Sequence, residues 1–271
     1  MNINLLYKSP FGRFIVVLLQ KTGVFCLGNW FLKTHMSYHM ISRYIKKHQI
    51  DMTDFKGQKY QTFAEFFSRK RENTSYIVNP DMLISPCDGL LSVYPITEGM
   101  NIAMKGSYYQ ISDLVPDRTL ADQFVDGICL VFRLQASDYH HFCAFDDAVM
   151  KKANFIPGEL HSVQPIVCEK IPVYRLNRRW WSVLDTVQFG QAVQIEVGAM
   201  LVGSVNFAKE EGWIHKGEEM GNFELAGSTI ILMLSSQIRR HLELDCKFHD
   251  AYYGAVEKRV YMGEGIGVLR K

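Results

Sequence analysis

The tripeptide Gly227-Ser228-Thr229 has the residue types in this chain that are best suited to chemistry on the backbone itself. The serine hydroxyl stands beside a glycyl carbonyl that no side chain shields. Apolar residues flank the tripeptide on both sides, namely Phe223, Leu225, Ile230, Ile231, Leu232, Met233 and Leu234. This pattern predicts a strand, a break, and a second buried strand. Because glycine weakens a buried strand, its presence here favours a chemical role.

The amino-terminal part of the chain is basic and aromatic. The first 80 residues hold twelve Lys or Arg against four Asp or Glu, although the net charge of the whole chain is only +2. Its longest uncharged apolar run, Phe14–Gln20, is far shorter than the roughly 20 residues of a membrane-spanning helix. Trp and Phe among basic side chains favour a helix lying on an anionic membrane surface rather than on nucleic acid. An amphipathic helix packed on the chain's own core is the alternative, and the two are compatible.

Two kinds of segment are predicted along the chain. Residues 1–75 have apolar residues at helical spacing, with helices predicted at His35–Lys47 and Gln61–Arg69. From Leu83 onward, short apolar runs bounded by Gly, Pro and Asp are typical of strands. The predicted strands are Leu90–Tyr94, Ile128–Leu134, Ala148–Phe155, Glu159–Val163, Trp180–Thr186, Ala192–Val197, Met200–Asn206, Phe223–Ala226 and Thr229–Leu234. We therefore expect an α+β fold, with a helical membrane-associating region (1–75) followed by a predominantly antiparallel β barrel or sandwich that forms a catalytic domain (76–271).

The cysteines and histidines do not follow metal-binding patterns. Six cysteines occur without a C-x-x-C pair, and the nine histidines lack H-E-x-x-H spacing. We predict buried, reduced thiols, a reducing compartment and no metal. A chain of 271 residues with 48% apolar residues can bury one large core.

Short motifs occur in order over most of the chain, and they are Phe63–Arg69, Ser85–Gly89, Lys105-Gly106 with Tyr108, Asp138–His140, Gly158–Val163 with Pro165, Val197–Ser204, Lys216–Phe223 and Gly227–Thr229. Together they resemble the phosphatidylserine decarboxylase family, whose members are pyruvoyl-dependent enzymes that make phosphatidylethanolamine. A lone Gly-Ser-Thr is weak support for such a resemblance. The ordered set of motifs is strong support.

The resemblance implies that Ser228 attacks the carbonyl of Gly227 and that the chain is cut there. The products would be a β chain of residues 1–227 and an α chain of residues 228–271. Elimination and hydrolysis would convert Ser228 into a pyruvoyl group, the covalent cofactor. Its carbonyl would take up the amine of phosphatidylserine and withdraw electrons as CO2 departs. The implied enzyme is a carboxy-lyase that converts phosphatidylserine to phosphatidylethanolamine.

The same resemblance assigns roles to two further residues. His140 would accept the Ser228 proton and later protonate the product, and Asp88 would orient the base. Each also has a plain structural interpretation. Asp88-Gly89 is a common hairpin turn, and a histidine at the end of a strand usually has a satisfied ring.

The chain departs from the family's pattern at Cys143, where a second histidine is usual. His141 adjoins His140 but is expected to point to the opposite face of an extended segment. Either both proton transfers fall on His140, or the thiol of Cys143 takes one. An ordinary thiol pKa of about 8.5 suits neutral pH less well than an imidazole. His141 and Cys143 are therefore auxiliary candidates.

Other functions stay open at this point. One is a pyruvoyl decarboxylase of a soluble amino acid, which would not need the basic, apolar amino terminus. Another is a catalytically impaired lipid-binding homologue, with Cys143 marking the loss. A third is a biotinyl or lipoyl carrier barrel, although Lys216 lacks the flanking Met residues of such sites. We expect phosphatidylserine and an anionic membrane surface as partners, a peripheral position on the cytoplasmic face of the cell membrane, and leave a homodimer open.

Overall fold

The computed structural model describes residues 3–72, 79–97, 101–104, 107–200, 204–225, 228–252 and 256–270. The α-helices in these ranges are α1 (Ile3–Lys8), α2 (Pro10–Lys21), α3 (Val24–Leu32), α4 (Ile41–His48), α5 (Phe63–Phe67), α6 (Ile111–Leu114), α7 (Arg118–Asp122), α8 (Pro165–Cys168), α9 (Val173–Leu176) and α10 (Ser236–His241). Short 3₁₀-helices span His35–Met40, Thr53–Phe55 and Cys246–Ala251.

The strands in the same ranges are β1 (Met82–Ile84), β2 (Gly89–Pro95), β3 (Asn101–Met104), β4 (Ser107–Gln110), β5 (Ile128–Arg133), β6 (His141–Cys143), β7 (Ala148–Met150), β8 (Asn154–Ile156), β9 (Arg179–Thr186), β10 (Gln191–Val197), β11 (Val205–Phe207), β12 (Gly212–Ile214), β13 (Glu219–Phe223), β14 (Thr229–Leu234), β15 (Leu242–Leu244), β16 (Lys258–Val260) and β17 (Gly265–Leu269).

A nine-stranded sheet forms the centre of the molecule. Its order is β12-β7-β9-β10-β14-β5-β2-β16, with β8 paired to β9. Strand β14 pairs antiparallel with β10 on one side and with β5 on the other, so that Ile230 lies opposite Glu196 and Phe132. All six residues of β14 are buried. The strand that follows the Gly-Ser bond is therefore a central core strand.

Two apolar cores cover the two faces of this sheet. Ile230, Leu232 and Leu234 belong to the first core, together with residues of the smaller sheets β1-β17-β15 and β11-β13-β6. Ile231 and Met233 belong to the second core, together with residues of helices α6 to α9 and of the β3-β4 pair. Because neighbours on a strand point to opposite faces, alternate residues of β14 enter different cores. The fold is thus a layered sandwich.

Helices α1 to α3 are attached to the body through few buried side chains. Tyr7 of α1 and Val16 of α2 join the second core, whereas α3 has no buried residue. Large apolar side chains of α2 and α3 are exposed, namely Phe11, Phe14, Leu18, Val24, Leu27 and Trp30. The two interpretations of this segment are therefore compatible in the structure, since Tyr7 of α1 and Val16 of α2 pack on the body while α2 and α3 expose other apolar side chains.

In the described part of the chain, no helix by itself has the length and apolar character needed to cross a membrane. The segments Pro10–Leu19 and Val24–Leu32 meet that criterion only as a pair, and they are bent by 62° relative to each other.

The predicted α+β fold with antiparallel sheets is confirmed. Of the two predicted architectures the sandwich holds, since no sheet within the described ranges closes into a barrel. Strands β2, β5, β9, β10 and β14 lie within one residue of their predicted ends. The boundary predicted between residues 75 and 76 lies outside the described residues and stays a prediction.

The predicted strand Glu159–Val163 is wrong. Glu159 makes a single bridge to Asn177, and the main-chain N–H of His161 donates to the side-chain oxygen of Asn177 at 2.9 Å. A side chain thus satisfies the backbone that a neighbouring strand would otherwise pair with. Helix α8 then begins at Pro165, where proline is well placed in a first turn.

The single strand predicted at residues 148–155 is two strands in the structure, β7 and β8.

Candidate active site

Ser228 lies immediately before β14 and is fully buried. Its main-chain oxygen accepts a hydrogen bond from Leu134 N at 2.9 Å, so the pairing of β14 with β5 continues past Thr229. Its Oγ has no hydrogen-bond partner among the described residues. Gly227, the other half of the predicted scissile bond, lies outside the described residues. A buried hydroxyl without a partner costs about 1–3 kcal/mol, which favours a role for Ser228 in chemistry rather than in stability.

His140 directly precedes β6 and is also fully buried. Its Nδ1 lies 2.9 Å from the main-chain oxygen of Asp138. Since a carbonyl only accepts, Nδ1 carries the hydrogen and Nε2 carries a lone pair. Nε2 has no partner among the described residues. Burial, and after it the positive charge of Arg69, lowers the pKa of His140 to about 3. The ring is therefore neutral at physiological pH, with one free nitrogen.

A single apolar cluster holds both His140 and the segment that leads to Ser228. The ring of His140 lies against that of Phe67 in α5, with the centroids 4.1 Å apart. Leu225 packs in the same cluster as Phe67, and Phe223 N donates to the main-chain oxygen of His140 at 2.9 Å. The structure thus brings His140 and the residues just before the Gly-Ser bond together.

Asp88 is occupied by other partners. Its carboxylate accepts two hydrogen bonds from the Arg71 guanidinium, at 3.2 and 2.8 Å, and one from Met262 N at 2.9 Å. The atom that holds His140 Nδ1 is instead the carbonyl oxygen of Asp138. The orienting role of Asp88 therefore stays a prediction, and what the structure shows is a partly buried ion pair between Asp88 and Arg71.

The surroundings of the two auxiliary candidates, His141 and Cys143, favour a structural role over proton transfer. His141 Nδ1 lies 2.9 Å from a carboxylate oxygen of Glu219, and its Nε2 lies 3.1 Å from the main-chain oxygen of Ser68. Both ring nitrogens are thus engaged, on the face of β6 away from His140. Burial, followed by the negative charge of Asp88, raises the pKa of the Cys143 thiol to about 12. A thiol with that pKa is a poor base at neutral pH.

Sequence reasoning missed three charged residues near the site. Arg69 donates at 3.4 Å to the carbonyl oxygen of Asp138, the group that also holds His140. Arg71 forms the ion pair with Asp88 and lies over the Tyr139 ring, 4.4 Å from its centroid. Glu196 is fully buried in the middle of β10. Its signal was available in the sequence, because it is a charged residue inside the apolar run Ala192–Val197.

These features define a class of protein. It is an α+β enzyme scaffold in which a buried serine heads a core strand, and a neutral histidine with a free nitrogen lies on the adjoining apolar cluster. Both side chains are shielded from water, as an internal serine reaction on the backbone requires.

Comparison with known proteins narrows the class to a family. A model of the family described as phosphatidylserine decarboxylase matches residues 63–268. The chain is 34% identical over 268 residues to phosphatidylserine decarboxylase proenzyme 2 of Clostridium acetobutylicum, covering 98% of this chain and 91% of that protein. It is 35% identical over 271 residues to the phosphatidylserine decarboxylase proenzyme of Clostridium kluyveri, covering 97% and 90%. The chain belongs to the phosphatidylserine decarboxylase family.

Proposed function

We propose that this chain is a proenzyme that cuts itself between Gly227 and Ser228 and then decarboxylates phosphatidylserine to phosphatidylethanolamine, as a pyruvoyl-dependent carboxy-lyase. The observation that carries the proposal is the fully buried Ser228, whose Oγ has no partner among the described residues, at the head of a central strand. The names of the relatives, which are phosphatidylserine decarboxylase proenzymes, support the substrate and the processing.

The position of Ser228 fits conversion into a pyruvoyl group. Its Oγ makes no hydrogen bond within the described residues, so losing the hydroxyl would leave none of those residues' polar groups unsatisfied. The group would supply a carbonyl that takes up the substrate amine and draws electrons away from the bond to CO2. Burial of this position excludes water, which favours loss of a carboxylate's charge.

The role that we assign to His140 is to hold a proton for the product. In the free protein its pKa is lowered to about 3, so that it is neutral. A phosphatidylserine headgroup brings a phosphodiester and a carboxylate, and a negative charge beside an imidazole raises the imidazole's pKa. His140 would thus gain its proton when substrate enters. Arg69 contributes by fixing the Asp138 carbonyl that orients the ring.

The amino-terminal helices support a membrane-bound substrate. Phe11, Phe14, Leu27 and Trp30 are each at least three-fifths exposed, and the basic residues of the first 50 positions have no acidic neighbours in sequence. Each Lys or Arg near anionic lipid contributes on the order of 1 kcal/mol. We propose that α2 and α3 lie in the membrane interface on the cytoplasmic face, with the enzyme held there peripherally.

A polar cleft lies where these helices meet the catalytic body. It has a volume of about 300 Å³, and Lys33 and Glu224 line it together with Asn206 and Asn222. Lys33 directly follows α3 and pairs with Glu224 at 3.1 Å. Since Glu224 lies four residues before Ser228 in the sequence, a headgroup in this cleft would contact the segment that leads to the reactive position.

Intact mass measurement of freshly purified protein tests the proposal. The expected species are residues 1–227 and a fragment of residues 228–271 that is lighter by one ammonia than the unmodified peptide, because a keto group replaces the amine. Ser228→Ala should remain one chain and release no CO2. Ser92→Ala is the matched control, since Ser92 is a fully buried serine of the same sheet. An uncut wild-type chain, or a cut Ser228→Ala chain, would overturn the proposal.

A further inference from the structure

Glu196 is a carboxyl group in the middle of a core strand. It is fully buried, and its Oε1 accepts a hydrogen bond from Gln194 Nε2 at 2.9 Å. Its Oε2 is buried and has no partner among the described residues. The described side chains directly opposite it on the neighbouring strands, Trp180 and Ile230, are neutral. Burying an ionisable group among such neighbours is costly, so a residue of this kind is retained for a reason other than stability.

The register of the sheet places Glu196 beside Ser228. Glu196 lies opposite Ile230, and Ser228 precedes Ile230 by two residues, so the two share a face of β14. The register between β10 and β14 reaches Val197 opposite Thr229, and on the other side of β14 the pairing with β5 continues through the hydrogen bond from Leu134 N to Ser228 O, so Ser228 continues the course of the strand. Residues related in this way are diagonal neighbours, about 7–8 Å apart between their Cα atoms and within reach of a long side chain. Glutamate is long enough to direct its free oxygen toward the serine.

The acid–base character of Glu196 suits proton transfer at neutral pH. Burial raises its pKa to about 7, against the lowering effects of the Gln194 hydrogen bond and of its own main-chain N–H. Trp180 of β9 and Ile230 of β14 face Glu196, and Gln194, which donates to Glu196, also contacts Met220 of β13 at 3.7 Å; none of these described side chains carries a charge. By contrast, the pKa of His140 is lowered to about 3 and that of Cys143 is raised to about 12. An acid–base group works best when its pKa lies near the working pH.

We propose that Glu196 is the residue that moves the Ser228 proton during self-cleavage, an inference that rests on the proposed cut at Gly227–Ser228. The Glu196 carboxylate takes the proton from Oγ as Oγ bonds to the carbonyl carbon of the preceding residue. As the bond from that carbon to the Ser228 nitrogen breaks, the carboxylic acid gives its proton to this nitrogen. An amide and a hydroxyl become an ester and an amine, and Glu196 ends in its starting state.

This assignment divides the two reactions between two groups. Self-cleavage occurs before any headgroup is bound, when His140 is held neutral and weakly basic. Decarboxylation occurs with an anionic headgroup present, when His140 can gain a proton. Glu196 therefore serves the first reaction and His140 the second, and neither requires the Cys143 thiol.

The test measures chain cleavage rather than the activity of the finished enzyme. Precursor is made by rapid cell-free synthesis, and the uncut fraction is followed by mass spectrometry between about pH 5.5 and pH 8.5, a range that brackets the pKa of about 7 to which burial raises Glu196. We expect Glu196→Gln to slow cleavage on the order of 100-fold. The wild-type rate should rise with pH and level off above about 7, because the ionised carboxylate is the base. That rise should be absent from the variant.

Asp146→Asn is the matched control, since Asp146 is also a buried carboxyl group with a pKa raised by burial. It should be cut at the wild-type rate. A second measurement requires neither cleavage nor a folded Glu196→Gln variant. In Ser228→Ala protein, the infrared band of buried carboxylic acid should lose intensity as the pH rises past about 7.

The possible failures are distinguishable. If wild-type protein is not cut, the proposed function fails. If wild-type protein is cut but Glu196→Gln is cut equally fast with the same pH profile, only the role of Glu196 fails. A carboxylic acid band that does not titrate across this range also overturns that role.

Discussion

The centre of the large sheet and the amino-terminal helices depart from ordinary burial in opposite directions. Around β14, the polar groups of Ser228, His140 and Glu196 are completely buried, and each has an atom without a partner in the described part of the chain. Along α2 and α3, Phe14 and Trp30 are more than three-fifths exposed. Each arrangement lowers stability relative to a conventional core or surface.

The difference between the two regions shows which partner each requires. Buried polar atoms without partners suit a reaction in which new bonds form at those atoms. Exposed apolar side chains among basic residues suit contact with a membrane, which has an apolar interior beneath a layer of anionic headgroups. An enzyme that acts on a membrane lipid needs both, one for the headgroup chemistry and one for reaching the headgroup. Local violations of folding rules often mark functional positions.

Replacing His140 should produce the largest effect on the reaction. We expect His140→Gln to lower CO2 release per cut chain by about 10²–10⁴-fold, the usual range for loss of a general acid or base. Release of labelled CO2 from phosphatidylserine in mixed micelles is the measurement. Dividing by the amount of the 228–271 fragment separates decarboxylation from cleavage.

His141→Gln is the control for that prediction. Both nitrogens of His141 are engaged, by Glu219 and by the Ser68 carbonyl. Its replacement should therefore change activity per cut chain only by a few-fold, as is usual for a substitution that does not remove a reacting group. An equal loss in both variants would show that the unpartnered nitrogen of His140 does not identify the proton donor.

The contrast between the two regions also shows what the sequence could predict. The apolar run after Ser228 predicted β14 to the residue, because a fully buried strand has a continuous apolar pattern. The basic residues around the aromatic side chains of α2 and α3 predicted a membrane-facing surface as one of two compatible interpretations, and several of these aromatic side chains are exposed. Strands such as β6 were missed, because three residues carry too little pattern and their pairing with β13 comes from distant sequence.

The details of the site depended on contacts that no local pattern encodes. The family resemblance assigned Asp88 the role of orienting a base, and the sequence contained no sign that Arg71, 17 residues away, forms an ion pair with its carboxylate. The free nitrogen of His140 follows from the direction of the Asp138 carbonyl, which only the folded chain sets. Glu196 was visible as a charge in an apolar strand, yet its proximity to Ser228 required the register between β10 and β14.

Burial of the Glu196 carboxyl group should measurably lower the free energy of unfolding. Its pKa is raised from 4.5 to about 7 on folding. Between these values the unfolded chain loses its proton first, so folding stability falls as pH rises and the loss is complete above about 7. This amounts to about 3 kcal/mol. In the uncut Ser228→Ala background, Glu196→Gln should therefore gain about 3 kcal/mol relative to Glu196 between about pH 4 and pH 8, as measured by urea unfolding.

The background effect of His140 cancels in that comparison. Its lowered pKa makes the unfolded chain bind the extra proton, so stability falls as pH drops below about 6.5 in both proteins alike. A stability difference between the two proteins that stays constant with pH would mean that Glu196 does not change its ionisation on folding.

The membrane-facing region is expected to give the smallest effect per residue. Trp30 is 67% exposed on α3, and we expect Trp30→Ser to weaken binding to phosphatidylserine-containing vesicles about tenfold, because one large apolar side chain no longer enters the interface. Vesicle co-flotation measures this partition. Trp213→Ser is the matched control, since Trp213 is also exposed but lies on β12 at the far edge of the large sheet.

The two tryptophan variants distinguish membrane insertion of α2 and α3 from non-specific lipid binding by exposed apolar residues. If α2 and α3 form the membrane face, Trp213→Ser should bind like wild type, and raising the salt concentration should weaken both proteins because it screens the basic residues. Equal losses in the two variants would mean that exposed apolar residues bind lipid wherever they lie. Helices α2 and α3 would then not be a dedicated membrane-binding surface, while the chemistry at Ser228 would be unaffected.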